Sequence, residues 1–175
     1  MFMKNFDFQP TLTGKQYSLR PLVISDYQNL LSVADDKLLW EGHPSKDRYK
    51  EEEFKKWFES ALLSGCALVI LDTLTQELIG STRFYVAPNT PNDISIGYTF
   101  ISRKYWGGKA NSSIKQLMIV YASQWFVTIW FHIAPSNIRS QKATEKIGAT
   151  FFSEESLDLG RGKTLWASYK FDVAV

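Results

Sequence analysis

The sequence predicts an α/β fold, a central mixed sheet with helices on both faces. Three observations carry this. Strand-like and helix-like segments alternate along 175 residues, with no internal repeats or low-complexity linkers, the pattern of a layered α/β or α+β domain. Two apolar runs, 66–72 and 77–86, flank a short polar turn and read as an antiparallel hairpin. A glycine turn, Tyr105 to Ser113, joins a strand-like run to a strongly amphipathic helix. The apolar run after that helix, 127–133, suits a strand buried on both faces and paired in parallel with the one before it.

The elements follow in order. Residues 16–21 form a first strand, and Ser25 with Gln28 makes a capping-box pattern that starts a helix near Ser25. A polar stretch, Glu41 to Arg48, leads to a second helix. Its apolar residues Phe54, Trp57, Phe58, Ala61 and Leu62 recur at the helical period, and Gly65 ends it. After the hairpin, Asp93 to Ile101 is a strand, with Gly97 marking a bulge or a close approach to the backbone. The helix after the glycine turn presents Ile114, Leu117, Met118, Tyr121, Ala122 and Trp125 on one face. Asn137 caps a fourth helix that Gly148 closes, and strands at about 149–155 and 164–173 flank a loop with Gly160, Arg161 and Gly162.

Composition narrows the function. With 45% hydrophobic and 22% charged residues the chain buries one substantial core, so residues 1–175 are expected to form a single domain, with 1–14 as an extended N-terminal segment. A net charge of +2 with dispersed Lys and Arg argues against nucleic acid as a partner. No apolar run is long enough to span a bilayer and the start lacks a signal-peptide core, so no membrane association and a cytoplasmic location are expected. Cys66 is the lone cysteine and reads as a buried, inert thiol. His43 and His132 lack partners at ligand spacing, so no metal is expected.

The glycine turn is the chemically informative stretch. Backbone N–H groups at a helix start, with the positive end of the helix dipole behind them, form an anion site. A nucleoside-triphosphate loop would need glycine where Arg103 stands and Ser or Thr where Ala110 stands, and no Gly-x-Gly-x-x-Gly fingerprint is present.

Set among its neighbours, the turn resembles the coenzyme A pyrophosphate loop of the GNAT superfamily of N-acetyltransferases. Asn137, Ile138, Arg139 and Ser140 followed by Glu145, Lys146, Ile147 and Gly148 resemble that family's second motif. With Ile96, Gly97 and Tyr98, the set is similar to the ribosomal-protein N-terminal (Rim-like) branch, over about Tyr17 to Tyr169. The resemblance implies a GNAT fold: a mostly antiparallel twisted sheet of about seven strands, about four helices, and a splayed parallel strand pair holding coenzyme A. It implies acetyl-CoA as cosubstrate, without a metal, and transfer to a primary amine of a protein N-terminus or small molecule by direct attack in a ternary complex. The chain would act as a monomer or homodimer.

The resemblance also implies a cofactor set: Phe100, Ile101 and Ser102 on the splayed strand, with the Ile101 backbone on the thioester carbonyl; Trp106, Gly107, Gly108, Lys109, Ala110, Asn111 and Ser112 around the pyrophosphate; Asn137 and Ser140 along the coenzyme's arm. Arg103, Lys104 or Arg139 would neutralise the outer phosphate, and a bulky residue at Gly108 is expected to weaken binding. Asp93 and Ser95 are the candidate catalytic groups, with His132 as another possible base, and His43, Arg83 and Tyr98 the candidate acceptor-binding groups. Lys109, Asn111, Thr144 and Ser95 depart from the family's usual residues, which motivates the alternative of a catalytically weak or inactive acyl-CoA-binding domain. An acidic acceptor site of the aminoglycoside type would draw on Glu41, Asp47 and Glu51 to Glu53.

Overall fold

The computed structural model describes residues 5–160 and 162–173. The strands are β1 (Leu12–Thr13), β2 (Tyr17–Pro21), β3 (Ala67–Asp72), β4 (Leu78–Tyr85), β5 (Ile94–Ile101), β6 (Thr128–Ile133), β7 (Thr150–Asp158) and β8 (Lys163–Asp172). The helices are α1 (Tyr27–Ala34), α2 (Glu51–Leu63), α3 (Ala110–Ala122) and α4 (Ile138–Lys146). One sheet has the order β1-β2-β3-β4-β5-β6-β8-β7, antiparallel throughout except for the β5–β6 pair. The hairpin and the parallel crossover through α3 stand where the sequence puts them.

Alternation along β3 shows how the sheet is sandwiched. Leu68 and Ile70 join Ile114, Met118 and Ala122 of α3 in one core, whereas Ala67 and Val69 join Phe54, Trp57, Phe58 and Ala61 of α2 in the other. Helices therefore cover both faces, and Phe100 of β5 belongs to the α2 side.

Three expectations change. An eighth strand appears because β1 pairs with β2 at the sheet edge. The described part of the N-terminal segment is packed on the core: Phe6 is buried against Phe84, Trp125 and Phe126, where apolar burial outweighs the entropy of a free end. Residues 1–4 and 174–175 lie outside the described residues. Cys66 precedes β3 and is only half-buried, and burial pushes its thiol up despite the opposing charge of Arg83, so it is not activated.

The first helix starts at Tyr27 after a 3-10 turn, not from a Ser25 capping box. Asp26 takes over the local polar work. Its carboxylate accepts two hydrogen bonds from Arg20, at 2.8 and 2.7 Å, and one from the Val23 N–H at 2.9 Å. Burial raises the Asp26 pKa, but the Arg20 hydrogen bond, the Val23 amide and the Arg20 charge outweigh it and hold the carboxyl below its ordinary range. Asp26→Asn is expected to destabilise the fold by about 2 kcal/mol at pH 7 by stranding a partly buried guanidinium. A depressed folded pKa means this contribution is fully present above the unfolded value and is lost as pH falls through the folded one. Urea melts of both proteins should therefore differ at pH 7, and the difference should shrink as pH falls below about 4.

Candidate active site

β5 and β6 pair only at Ile94 with Ile129 and Ser95 with Trp130. Beyond that register the two strands carry no further pairing, and a cleft of about 820 Å³ is lined by their diverging ends, the glycine turn, α4 and the loop before α2. This is the size of a site for a large ligand.

A bulge shapes the β5 wall. Ser81 pairs with Phe100 and Arg83 with Gly97, so Thr82 faces two residues, Tyr98 and Thr99. The extra residue puts Tyr98 at φ +52°. The bulge thus follows Gly97; at Gly97 itself a Cβ would come within 2.9 Å of the Tyr85 ring, which makes it a close-approach glycine. After the bulge, the Ser102 N–H donates to Ile79 O at 2.8 Å. Ile101 and Gly80 therefore form an open antiparallel pair, so the N–H and C=O of Ile101 point away from β4, toward the gap that β6 leaves. The Ile101 carbonyl accepts the Trp106 indole N–H at 2.9 Å, and its N–H faces the same gap.

The glycine turn leaves the start of α3 without a side-chain cap. Gly107 sits at φ +74°, which favours glycine, whereas Lys109 is helical at φ −90°, so a side chain is tolerated there. Trp106, Gly107, Gly108, Asn111 and Ser112 line the cleft, as do Asn137 and Ser140. The Asn137 Oδ1 accepts the Ser140 N–H at 3.2 Å, so this oxygen also caps α4. Arg139 lies with its guanidinium 3.5 Å from the Trp106 ring centroid, and burial pulls its pKa down. Lys142 and Lys146 of α4 also line the cleft.

Several expected site residues lie elsewhere. Ser102 and the side chains of Lys109 and Ala110 do not line the cleft; Ala110 is a core residue, which leaves it only a backbone role. Arg103 is paired with Asp36 and Lys104 with Glu77 at 3.0 Å, both outside the cleft. Asp93 accepts the Trp130 indole N–H at 3.0 Å and Ser95 is fully buried, both where β5 and β6 are still joined, so neither lines the cleft. Arg83 is buried behind the wall, its guanidinium 4.4 Å from the Tyr98 ring centroid, where it supports Tyr98 rather than facing an acceptor. His43 and Tyr98 do line the cleft.

The structure adds residues that sequence reasoning missed or set aside. His132 Nδ1 lies 2.8 Å from the Tyr85 hydroxyl. With that hydroxyl donating, the neutral ring carries its proton on Nε2, a buried nitrogen with no hydrogen-bond partner among the described residues. Burial lowers the His132 pKa to about 4 and raises that of Tyr85, so both are neutral near pH 7. Lys115 of α3 is 6% exposed and lines the cleft, with Nζ 2.6 Å from Thr99 Oγ1 on the bulge. Burial alone lowers its pKa to about 7. Its signal was present in the sequence: Lys115 stands on the same helical stripe as Met118, Ile119 and Ala122. Arg48 also lines the cleft, and nothing in its polar stretch marks it.

Charge completes the picture. Arg48, Lys115, Arg139, Lys142 and Lys146 line the cleft, and no Asp or Glu among the described residues does. Such a lining suits a polyanionic ligand with several phosphates, and it removes the basis for an acidic acceptor site, since Glu41, Asp47 and Glu51 to Glu53 all stand outside it. Among the described residues no cluster of ligating side chains could hold a metal ion, and no helix is long and apolar enough to cross a membrane.

Solved structures share this architecture at low identity. A GCN5-related N-acetyltransferase from Brucella melitensis superposes with a TM-score of 0.79 at 15% identity, over 97% of this chain and 83% of that one. A GNAT-family acetyltransferase from Bacillus anthracis gives 0.73 at 16% identity, over 94% and 98% of the two chains. RimJ from Mycobacterium smegmatis, in complex with CoA-disulfide, gives 0.67 at 14% identity, over 94% and 88%. No curated protein matches by sequence. Residues 17–150 match the acetyltransferase (GNAT) domain, most of the chain and all of the cleft walls except part of β8 and the loop before it, and the chain belongs to the GNAT acetyltransferase family.

Proposed function

We propose that the protein is an acetyl-CoA-dependent N-acetyltransferase acting on a primary amine, a protein N-terminus or a small molecule, by direct attack in a ternary complex. The observation that carries the reading is the splay of β5 from β6, which opens a cation-lined cleft onto the uncapped start of α3. These features fit coenzyme A: N–H groups and the dipole at α3 with Arg139, Lys142 and Lys146 for phosphates, and a gap beside β5 for the arm. Acetyl-CoA supplies the activated thioester. The protein supplies the Ile101 N–H as a donor for charge developing on an acyl oxygen, and walls that hold the amine in line. The RimJ neighbour supports a Rim-like acceptor, and the protein would work in the cytoplasm as a monomer or homodimer.

Among the described residues no carboxylate lines the cleft to serve as a base, and loss of the amine's proton to water suits an α-amino group at about 7.7–8.0 better than lysine at about 10.4. The same lack of a carboxylate favours a second reading, a domain that binds acyl-CoA and turns over slowly or not at all. Thiol release from acetyl-CoA across a panel of peptide and metabolite amines separates the two. Amine-dependent release supports transfer; tight CoA binding without release supports the second reading, and acetylation confined to internal lysines argues against an α-amino acceptor.

A further inference from the structure

We infer that the acceptor is a small amine bearing a carboxylate, and that Arg48 reads that carboxylate; the inference rests on the acetyl-transfer reading above. Arg48 lines the cleft yet is 4% exposed. Its guanidinium lies 4.9 Å from the ring centroid of Trp40 and 5.7 Å from that of Trp57. Trp40 packs at 5.2 Å on Phe100 of β5, which anchors the arginine to the acyl side of the cleft. Stacking on indole faces uses the plane of the guanidinium and leaves its edge for hydrogen bonds.

Little of that edge is spent. Nη2 donates to Ser45 Oγ at 3.3 Å, and no carboxylate among the described residues pairs with the group. The nearest acid in sequence, Asp47, is paired with Lys50 at 2.8 Å. A guanidinium stays charged at any physiological pH and has five N–H donors, and a buried one without a counter-ion is costly unless the ligand brings the anion. A carboxylate matches its fork geometry.

Coenzyme A also brings anions, but the cleft holds other cations for its phosphates, among them Arg139, which stacks on Trp106. The loop that carries Arg48 comes close to the start of α4, since a Cβ on Gly42 would come within 3.8 Å of Asn137 Oδ1. The test therefore separates the two anions.

Matched pairs of amino acids and their amides, assayed as acceptors, should show kcat/KM at least tenfold higher for the acid. Arg48→Gln should bring that ratio to about one while the Kd for CoA changes less than twofold, and Arg48→Lys should fall between. A raised Kd for CoA with an unchanged acid-to-amide ratio assigns Arg48 to a cofactor phosphate and overturns the inference. Equal or higher rates with amides in the unaltered protein overturn it without any variant, should Arg48→Gln not fold. A parallel titration of the CoA complex with N-acetyl amino acids and N-acetyl amides, followed by tryptophan fluorescence, needs no turnover. Selective binding of the acids without turnover on any amine sustains Arg48 as the reader of a carboxylate but removes the transfer reading, and the acceptor with it. Turnover indifferent to the carboxylate does the reverse, and neither binding nor turnover overturns both.

Discussion

Lys115→Met is expected to stabilise the protein by about 2–3 kcal/mol at pH 6 and to slow acetyl transfer at least tenfold. The lysine is buried against Thr82, Thr99 and Phe131, and no ion pair with it exists among the described residues. Its pKa falls to about 7 in the fold, against about 10.4 in the unfolded chain. Between those values the unfolded state binds the extra proton, so the native protein gains stability as pH rises through the window and loses it as pH falls toward 7. Below pH 7 the charged form is buried at full cost, of order 4 kcal/mol, which methionine avoids while forfeiting about 1 kcal/mol of hydrogen bonding. The advantage of the variant should shrink toward pH 10. Urea denaturation of both proteins across pH 6–10 measures this, and a pH-independent difference would show that desolvation of the ammonium is not its source. A lysine retained at such a cost on the wall of the cleft is expected to serve the site rather than the fold.

Gly107→Val is expected to raise the Kd for CoA at least tenfold and to lower the melting temperature by a few degrees. The positive φ of Gly107 costs a β-branched residue about 2 kcal/mol, so the turn would relax and its N–H groups lose their common aim. A Cβ there meets nothing within 4 Å, so the strain lies in the backbone of the turn and not in the packing around it. Gly108 has no positive φ, and the nearest atom to its Cβ position is Tyr105 O at 3.8 Å. Gly108→Ala should therefore cost less than Gly107→Val. Isothermal titration of CoA into the three proteins gives the order, and equal losses at both glycines would point to ligand contact rather than backbone conformation as the cause.

The contrast between these two glycines shows what was legible. That the turn is glycine-dependent follows from its composition, but which glycine holds the left-handed residue depends on how the chain leaves the Arg103–Tyr105 turn and enters α3. The same division separates Asp93 and Ser95 from Ile101. Ser95 and Ile101 lie on β5 and Asp93 just before it, and only the point where β6 stops pairing decides which of them meets the cleft. Arg103, Lys104 and Arg139 look equivalent as phosphate partners along the sequence; Asp36 and Glu77, distant in the chain, take the first two.

By itself the sequence determined the order of elements, the hairpin, the parallel crossover and the place of the glycine turn at the start of α3, because each rests on periodicity, turn chemistry or spacing within a few residues. Only the tertiary structure decided which face of the bulged strand looks into the cleft, that Lys115 and Arg48 are buried there, and that no carboxylate among the described residues joins them. Those are properties of segments brought together from across the chain, and burial without a counter-ion has no local signature.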